Sequence, residues 1–154
     1  MADGWQEAGS NVVIVATGIG GWVWASWSGT TGGCVVAGNR ITVPMDRPRS
    51  VNAAFLPDTV APTPDPMTWA TLPQAMGPAA ITMTATAATD PSGVEYYFTN
   101  TAGGGHDSGW QDSAAYTDFA LTPSVTYSYR VKARDKSTNR NETAYSDTRS
   151  ATTP

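Results

Sequence analysis

The sequence predicts an all-β chain, and three observations predict it. The stretch Leu121 to Asp135 (LTPSVTYSYRVKARD) places Tyr127, Tyr129, Val131 and Ala133 at alternate positions. Ser128, Arg130, Lys132 and Arg134 fill the positions between. Side chains of a strand alternate across the sheet, so this strand has one apolar face and one carrying a positive ladder. Antiparallel sheets with one face on a core give this pattern. Second, Thr, Val, Gly, Ala and Pro are abundant, charged residues make up 14%, and no amphipathic helix can be drawn. Third, Gly, Pro, Asp and Asn punctuate the chain at short intervals, as turns between short strands require.

The elements then follow in order. Asn11 to Ala16 is a continuous apolar β run, broken by Gly18 to Gly21. Trp22, Trp24 and Trp27 come next, in GWVWASWSG, and the chain turns at Gly29 to Gly33. Cys34 to Ala37 is short and apolar, Ile41 and Val43 flank Thr42, and Val51 to Leu56 closes a first unit of residues 1–56. Alternation puts Trp22 and Trp24 on one face, and the expectation is that Trp22, Trp24 and Trp27 pack inward. Trp5 lies near a frayed start where exposure is expected. Residues 57–68 (PDTVAPTPDPMT) hold four prolines. Proline donates no ladder hydrogen bond and favours extended chain, so this stretch reads as a semi-rigid linker.

The second unit, residues 69–154, opens at Trp69. Ile81, Met83, Ala85 and Ala87 alternate with Thr; Asp90 to Gly93 is a turn; Val94, Tyr96 and Phe98 alternate with Glu95, Tyr97 and Thr99. A Gly-rich loop, Thr101 to Ser108, precedes a short strand at Gly109 to Asp112. Tyr116 to Leu121 leads into the 121–135 strand, and Ala144 to Thr152 follows a polar turn. The spacing Leu121-x-Pro123-x-x-x-Tyr127 matches a tyrosine corner, in which the hydroxyl folds back on the turn before its strand.

Net charge is −4 at pH 7, which argues against a nucleic-acid partner. No apolar run approaches the ~18 residues of a membrane-spanning helix, so membrane insertion is not expected. The single cysteine, Cys34, allows no intrachain disulfide and reads as a small buried apolar residue. No charged start and apolar middle of a signal peptide opens the chain. It reads as an excised piece of a longer protein, monomeric within a multidomain chain.

Catalytic sets do not assemble. The single histidine, His106, adjoins Asp107 and Ser108, but a triad needs its members to converge from separate segments. The three glutamates offer no facing pair of acids for glycoside cleavage. No zinc ligand set is present. The reading is therefore non-enzymatic, with no cofactor beyond a structural calcium. Asp90, Asp135 and Asn139 (with Asn141) fall in loops expected at one pole of a sandwich, where oxygen ligands could meet. The alternative for them is Asx-turn chemistry. Trp110, Tyr97 and Trp69, flanked by Gln111, His106 and Asp107, form the candidate ligand-binding set, because sugar C–H groups stack on rings and hydroxyls need fixed hydrogen-bonding partners. The alternative is that Trp69 and Trp110 fill the core.

Two family resemblances accompany these readings. Gly9, Ala16, Trp24, Trp27, Gly29, Met45, Val51, Ala53 and Phe55, within "GWVWASWSG" and "NRITVPMDRPRSVNAAF", resemble the divergent internalin B-type repeat of bacterial surface proteins. The resemblance implies a small β-grasp-like, all-strand module, truncated at its first strand. Many members carry a second cysteine that would bridge the loop before Cys34; here that loop holds Thr30 and Thr31. Residues 69–154, through "DPSGVEYYF", "SGWQDS" and "LTPSVTYSYRVKARD" followed by "NETAYSDTRSATT", resemble a fibronectin type III-like domain appended to secreted bacterial polysaccharide-active enzymes and adhesins. Together they imply a secreted or cell-surface setting and a polysaccharide partner. The function expected is carbohydrate binding that targets an attached enzyme. A structural spacer or adhesin stalk is the alternative, and an enzyme with an unfamiliar site ranks third.

Overall fold

A computed structural model describes residues 7–154; Trp5 lies outside them. No helix forms among the described residues, and every strand pair is antiparallel. No helix is therefore long and apolar enough to cross a membrane. The chain divides into two compact units, Met1–Asp58 and Thr59–Pro154.

The first unit contains β1 (Asn11–Val15), β2 (Trp22–Gly29), β3 (Val35–Ala37), β4 (Arg40–Pro44) and β5 (Val51–Pro57). They make a three-stranded sheet in the order β1-β4-β3 and a two-stranded sheet of β2 and β5. Ile41 and Val43 of β4 are buried, as is Ala16. Trp24 and Trp27 are partly buried with ring centroids 6.2 Å apart, and the Trp27 indole donates to the Gly38 carbonyl at 3.1 Å. Trp22, expected inward, is instead 51% exposed. Trp22 lies at the end of β2, opposite Pro57, and a sheet of two strands has too little area to cover both ends of a long strand. Cys34 is half-buried rather than buried, with its sulfur 3.7 Å from Arg49 Nη1. Gly29 has φ +92° and a Cβ there would lie 2.2 Å from the Ser50 carbonyl oxygen, so no other residue fits.

The second unit contains β6 (Trp69–Ala75), β7 (Ala80–Ala85), β8 (Val94–Ala102), β9 (Trp110–Gln111), β10 (Ala115–Phe119), β11 (Thr126–Asp135) and β12 (Arg149–Thr152). Two sheets result, ordered β10-β7-β6 and β12-β11-β8-β9. The chain crosses between sheets after β7, β9 and β10, so the unit is a fibronectin type III-like β-sandwich. Its core joins Ile81, Met83 and Ala85 of one sheet to Tyr96, Phe98, Tyr127, Tyr129, Val131 and Ala133 of the other. Burying each large side chain contributes ~1.5–3 kcal/mol. The tyrosine corner forms: the Tyr127 hydroxyl accepts from the Thr122 amide at 2.8 Å.

Residues 57–68, read as a linker, behave differently. Thr63 pairs with Thr89 in an antiparallel bridge, the Met67 amide donates to the Ala144 carbonyl at 3.2 Å, and Met67 is 1% exposed within the sandwich core. The prolines prevent a regular strand, but they leave Thr63 and Met67 free to donate, and an apolar Met gains from burial.

Candidate functional site

β11 sets the outer face of the four-stranded sheet. Its register places Arg130 opposite Thr99, Lys132 opposite Tyr97 and Arg134 opposite Glu95, while Tyr97 pairs onward with Trp110 of β9. Lys132, Tyr97 and Trp110 thus form one row across three strands. The Tyr97 and Trp110 rings meet edge-on, with centroids 5.3 Å apart and planes at 60°. The Arg134 guanidinium carbon sits 4.0 Å from the Trp110 ring centre and Lys132 Nζ sits 5.3 Å from it. Lys132 is also 5.3 Å from the ring centre of Tyr145, which Arg130 covers at 3.7 Å. Cations over ring faces are attracted to the negative quadrupole, so the cations and rings brace one another.

Carboxylates hold this ladder at its sides. Glu95 accepts from Arg134 at 2.9 Å and from Arg140 at 3.2 Å, and Glu142 accepts from Lys132 at 2.5 Å. The Tyr97 hydroxyl donates to Asp107 Oδ2 at 3.0 Å, and Asp107 Oδ1 accepts from the Asn100 amide at 2.8 Å. The bond to Asp107, and then desolvation, raise the Tyr97 hydroxyl above the ordinary phenol range.

Of the six residues in the candidate ligand set, three converge here: Trp110, Tyr97 and Asp107. Trp110 is only partly buried and is not among the core residues. Trp69 does not join it. It packs against the core 6.0 Å from Phe98, and its indole donates to the Asp147 carbonyl at 2.9 Å. Trp69 faces a separate cleft of about 320 Å³ shared with Met67, Leu72, Tyr145 and Arg149. Gln111 points the other way from Trp110 by alternation, and its amide is spent on the Ser113 and Ala115 carbonyls at 2.7 and 2.8 Å.

His106 is fastened to a buried carboxylate. Its Nδ1 lies 2.8 Å from Asp118 Oδ1, and its amide donates to Asp118 Oδ2 at 2.7 Å. Asp118 is 1% exposed and also accepts from the Tyr129 hydroxyl at 2.8 Å. Gly105 closes over this carboxylate, since a Cβ there would lie 2.6 Å from Asp118 Oδ2. Burial, and then the Asp118 bond, push the Tyr129 hydroxyl far above the phenol range. Tyr116, whose hydroxyl donates to the His106 carbonyl at 3.1 Å, is pushed up to about 12 by burial first and by Asp118 second. The His106–Asp118 pair thus anchors the Gly-rich loop to β10.

Asp90 and Asp135 bring carboxylate oxygens within 4.8 Å of each other. Asp90 Oδ1 accepts from the Ser92 amide at 2.7 Å, an Asx turn. Asp135, 0% exposed, takes both the amide and hydroxyl of Ser137 and both the amide and side chain of Asn141. The Asn139 amide donates to the Ser137 hydroxyl at 3.1 Å. These four donors fold the loop around the Asp135 carboxylate.

Sequence reasoning missed Tyr145, Asp118 and the ring contacts of Arg130 and Arg134. Tyr145 lies between β11 and β12, where the Thr143 and Ser146 amides donate to the Ala133 and Val131 carbonyls at 2.9 and 2.8 Å.

No protein-family model matches the chain, and no curated protein matches it, so the internalin B-type resemblance of residues 1–56 gains no support. Among solved structures, a crystal structure of a set of titin domains is similar at 16% identity and a TM-score of 0.40, over 92% of this chain and 57% of that one. A likeness this distant bears on neither function nor partners.

Proposed function

We propose that the second unit is a non-catalytic carbohydrate-binding module that holds an attached polysaccharide-active enzyme on its substrate. The supporting observation is the Tyr97–Trp110 pair, which lies outside the core on the outer sheet face with Asp107, Lys132 and Arg134 around it. Amphipathic rings beside fixed donors and acceptors suit a sugar, whose C–H faces stack while its hydroxyls bond. The setting of this reading is secreted or cell-surface, and the chain acts as one part of a longer protein.

The test is affinity electrophoresis against a panel of plant and marine polysaccharides, with Trp110→Ala beside the parent. Retardation by one polymer, lost in the variant at an unchanged thermal midpoint, supports the module. Retardation unchanged in Trp110→Ala sinks the assignment of this face. A spacer role is the second reading. It is favoured by the guanidinium 4.0 Å over Trp110, which makes the rings a brace as well as a platform. Absence of retardation by every polymer would select it.

A structural calcium shared by Asp90 and Asp135 belongs to the same reading. A thermal midpoint that rises with millimolar calcium and falls with chelator is the expected result; equal midpoints in both would remove the ion.

A further inference from the structure

The three cations of the β11 ladder are not equivalent. Arg134 is bonded to Glu95 at 2.9 Å, and Lys132 to Glu142 at 2.5 Å. Arg130 has neither kind of partner. Among the described residues no carboxylate lies within salt-bridge reach of it, and its Nε is buried with no hydrogen-bond acceptor. A guanidinium N–H removed from water without an acceptor is costly, and natural structures seldom leave one. The group is also held in place, 3.7 Å over the Tyr145 ring. Around it lie hydroxyls rather than acids. Thr99 stands opposite in register and donates to the Tyr145 hydroxyl at 3.4 Å, and the neighbouring Ser128 and Ser150 hydroxyls share a 2.8 Å bond.

We propose that the face binds an acidic polysaccharide, with Arg130 receiving a carboxylate or sulfate of the polymer. This rests on the reading that the face binds carbohydrate, and it names the class. A stacked guanidinium loses little freedom when it engages a planar anion, because its donor fork is already oriented. The rings of Tyr145 and Trp110, with Lys132 shared between them, continue from Arg130 along the sheet and offer stacking surfaces for the sugars that follow the charged one. The chain carries −4 overall, so its general field repels a polyanion and attraction must come from this local group. An acidic peptide is the less suitable polyanion, since the hydroxyls of Thr99, Ser128 and Ser150 complement sugar hydroxyls.

Matched polymers test the class directly. The full chain is run by affinity electrophoresis in polygalacturonate against its methyl ester, in carrageenan against agarose, and in polyglutamate. The expected result is retardation by one charged polymer and at least about tenfold less by its neutral counterpart, the loss of one charge-assisted contact. Polygalacturonate or carrageenan as the stronger member identifies carboxylate or sulfate. Arg130→Gln should weaken binding by about tenfold or more and Arg130→Lys by less, while Arg140→Gln, whose cation is paired with Glu95, should change it little. Equal retardation by charged and neutral partners, lost in Trp110→Ala but not in Arg130→Gln, overturns the acidic class and keeps the carbohydrate reading. Equal loss in Arg130→Gln and Arg140→Gln, or retardation by polyglutamate as strong as by any polysaccharide, reduces the effect to nonspecific charge and overturns it too. Retardation by nothing overturns both.

Discussion

The two units reach stability by different means. The sandwich buries a continuous set of large side chains from both sheets, and Phe98, Tyr129, Val131, Ile81 and Met83 are all 0% exposed. Among its described apolar residues the first unit buries Ile41, Val43 and Ala16 below a tenth exposure, while Val13, Val15, Val35 and Val36 stand 44%, 54%, 68% and 51% exposed. It compensates with polar fastening. Arg49, whose side chain is 2% exposed, donates to the Thr30 and Gly32 carbonyls at 3.3 and 2.6 Å and to Asp46 at 2.8 Å. These bonds hold the loop before Cys34, which has no second cysteine to bridge it. The Arg49 bond also draws the Asp46 carboxyl below its usual range. The same strand-rich composition thus gives a packed sandwich where sheets face each other, and a thin, stapled module where they are narrow.

The largest effect should come from the sandwich core. Phe98→Ala removes a ring packed against Trp69 and Tyr116 and should cost about 3–5 kcal/mol in urea unfolding. A cost below about 1 kcal/mol would mean the core is not the source of its stability. Tyr127→Phe leaves the Thr122 amide without its acceptor and should cost about 1–3 kcal/mol.

Alkali separates the units next. A phenol whose folded pKa is raised contributes stability that is full below its unfolded value and is lost as pH rises toward the folded one. Tyr116, at about 12, and Tyr129, higher still, should make the sandwich lose stability from about pH 10 upward. Tyr129→Phe should flatten the loss, seen as a shallower fall of thermal midpoint between pH 9 and 11; an unchanged slope would assign the loss elsewhere.

The smallest effect is expected in the first unit. Arg49→Lys keeps the charge but loses the fork to Thr30, Gly32 and Asp46, costing about 1 kcal/mol. It should speed thiol labelling of Cys34, whose sulfur lies 3.7 Å from the guanidinium. Unchanged labelling would show that the loop holds without it.

Much of the sandwich was legible from local rules. The alternation of 126–135 gave the buried and outer faces of β11 residue by residue, and the spacing of Leu121, Pro123 and Tyr127 gave the corner bond. The candidate site was legible only in part. Tyr97, Trp110 and Asp107 come together because alternation and register act over neighbouring strands. Trp69 and His106 went elsewhere because their partners, the Asp147 carbonyl and Asp118, are chosen by the fold and not by spacing, whereas Gln111 turns away by the alternation of its own strand and bonds the nearby Ser113 and Ala115 carbonyls. The burial of Met67 was hidden for the same reason, since its position read as linker.

By itself the sequence determined strand identity, facing and turns, because these follow from a period of two and from the dihedral limits of Gly and Pro. Only the tertiary structure decided which cations would lie on which rings and which carboxylate would be buried. It also left Arg130 without an acid, because those choices depend on contacts between segments far apart in the chain, where no periodicity operates.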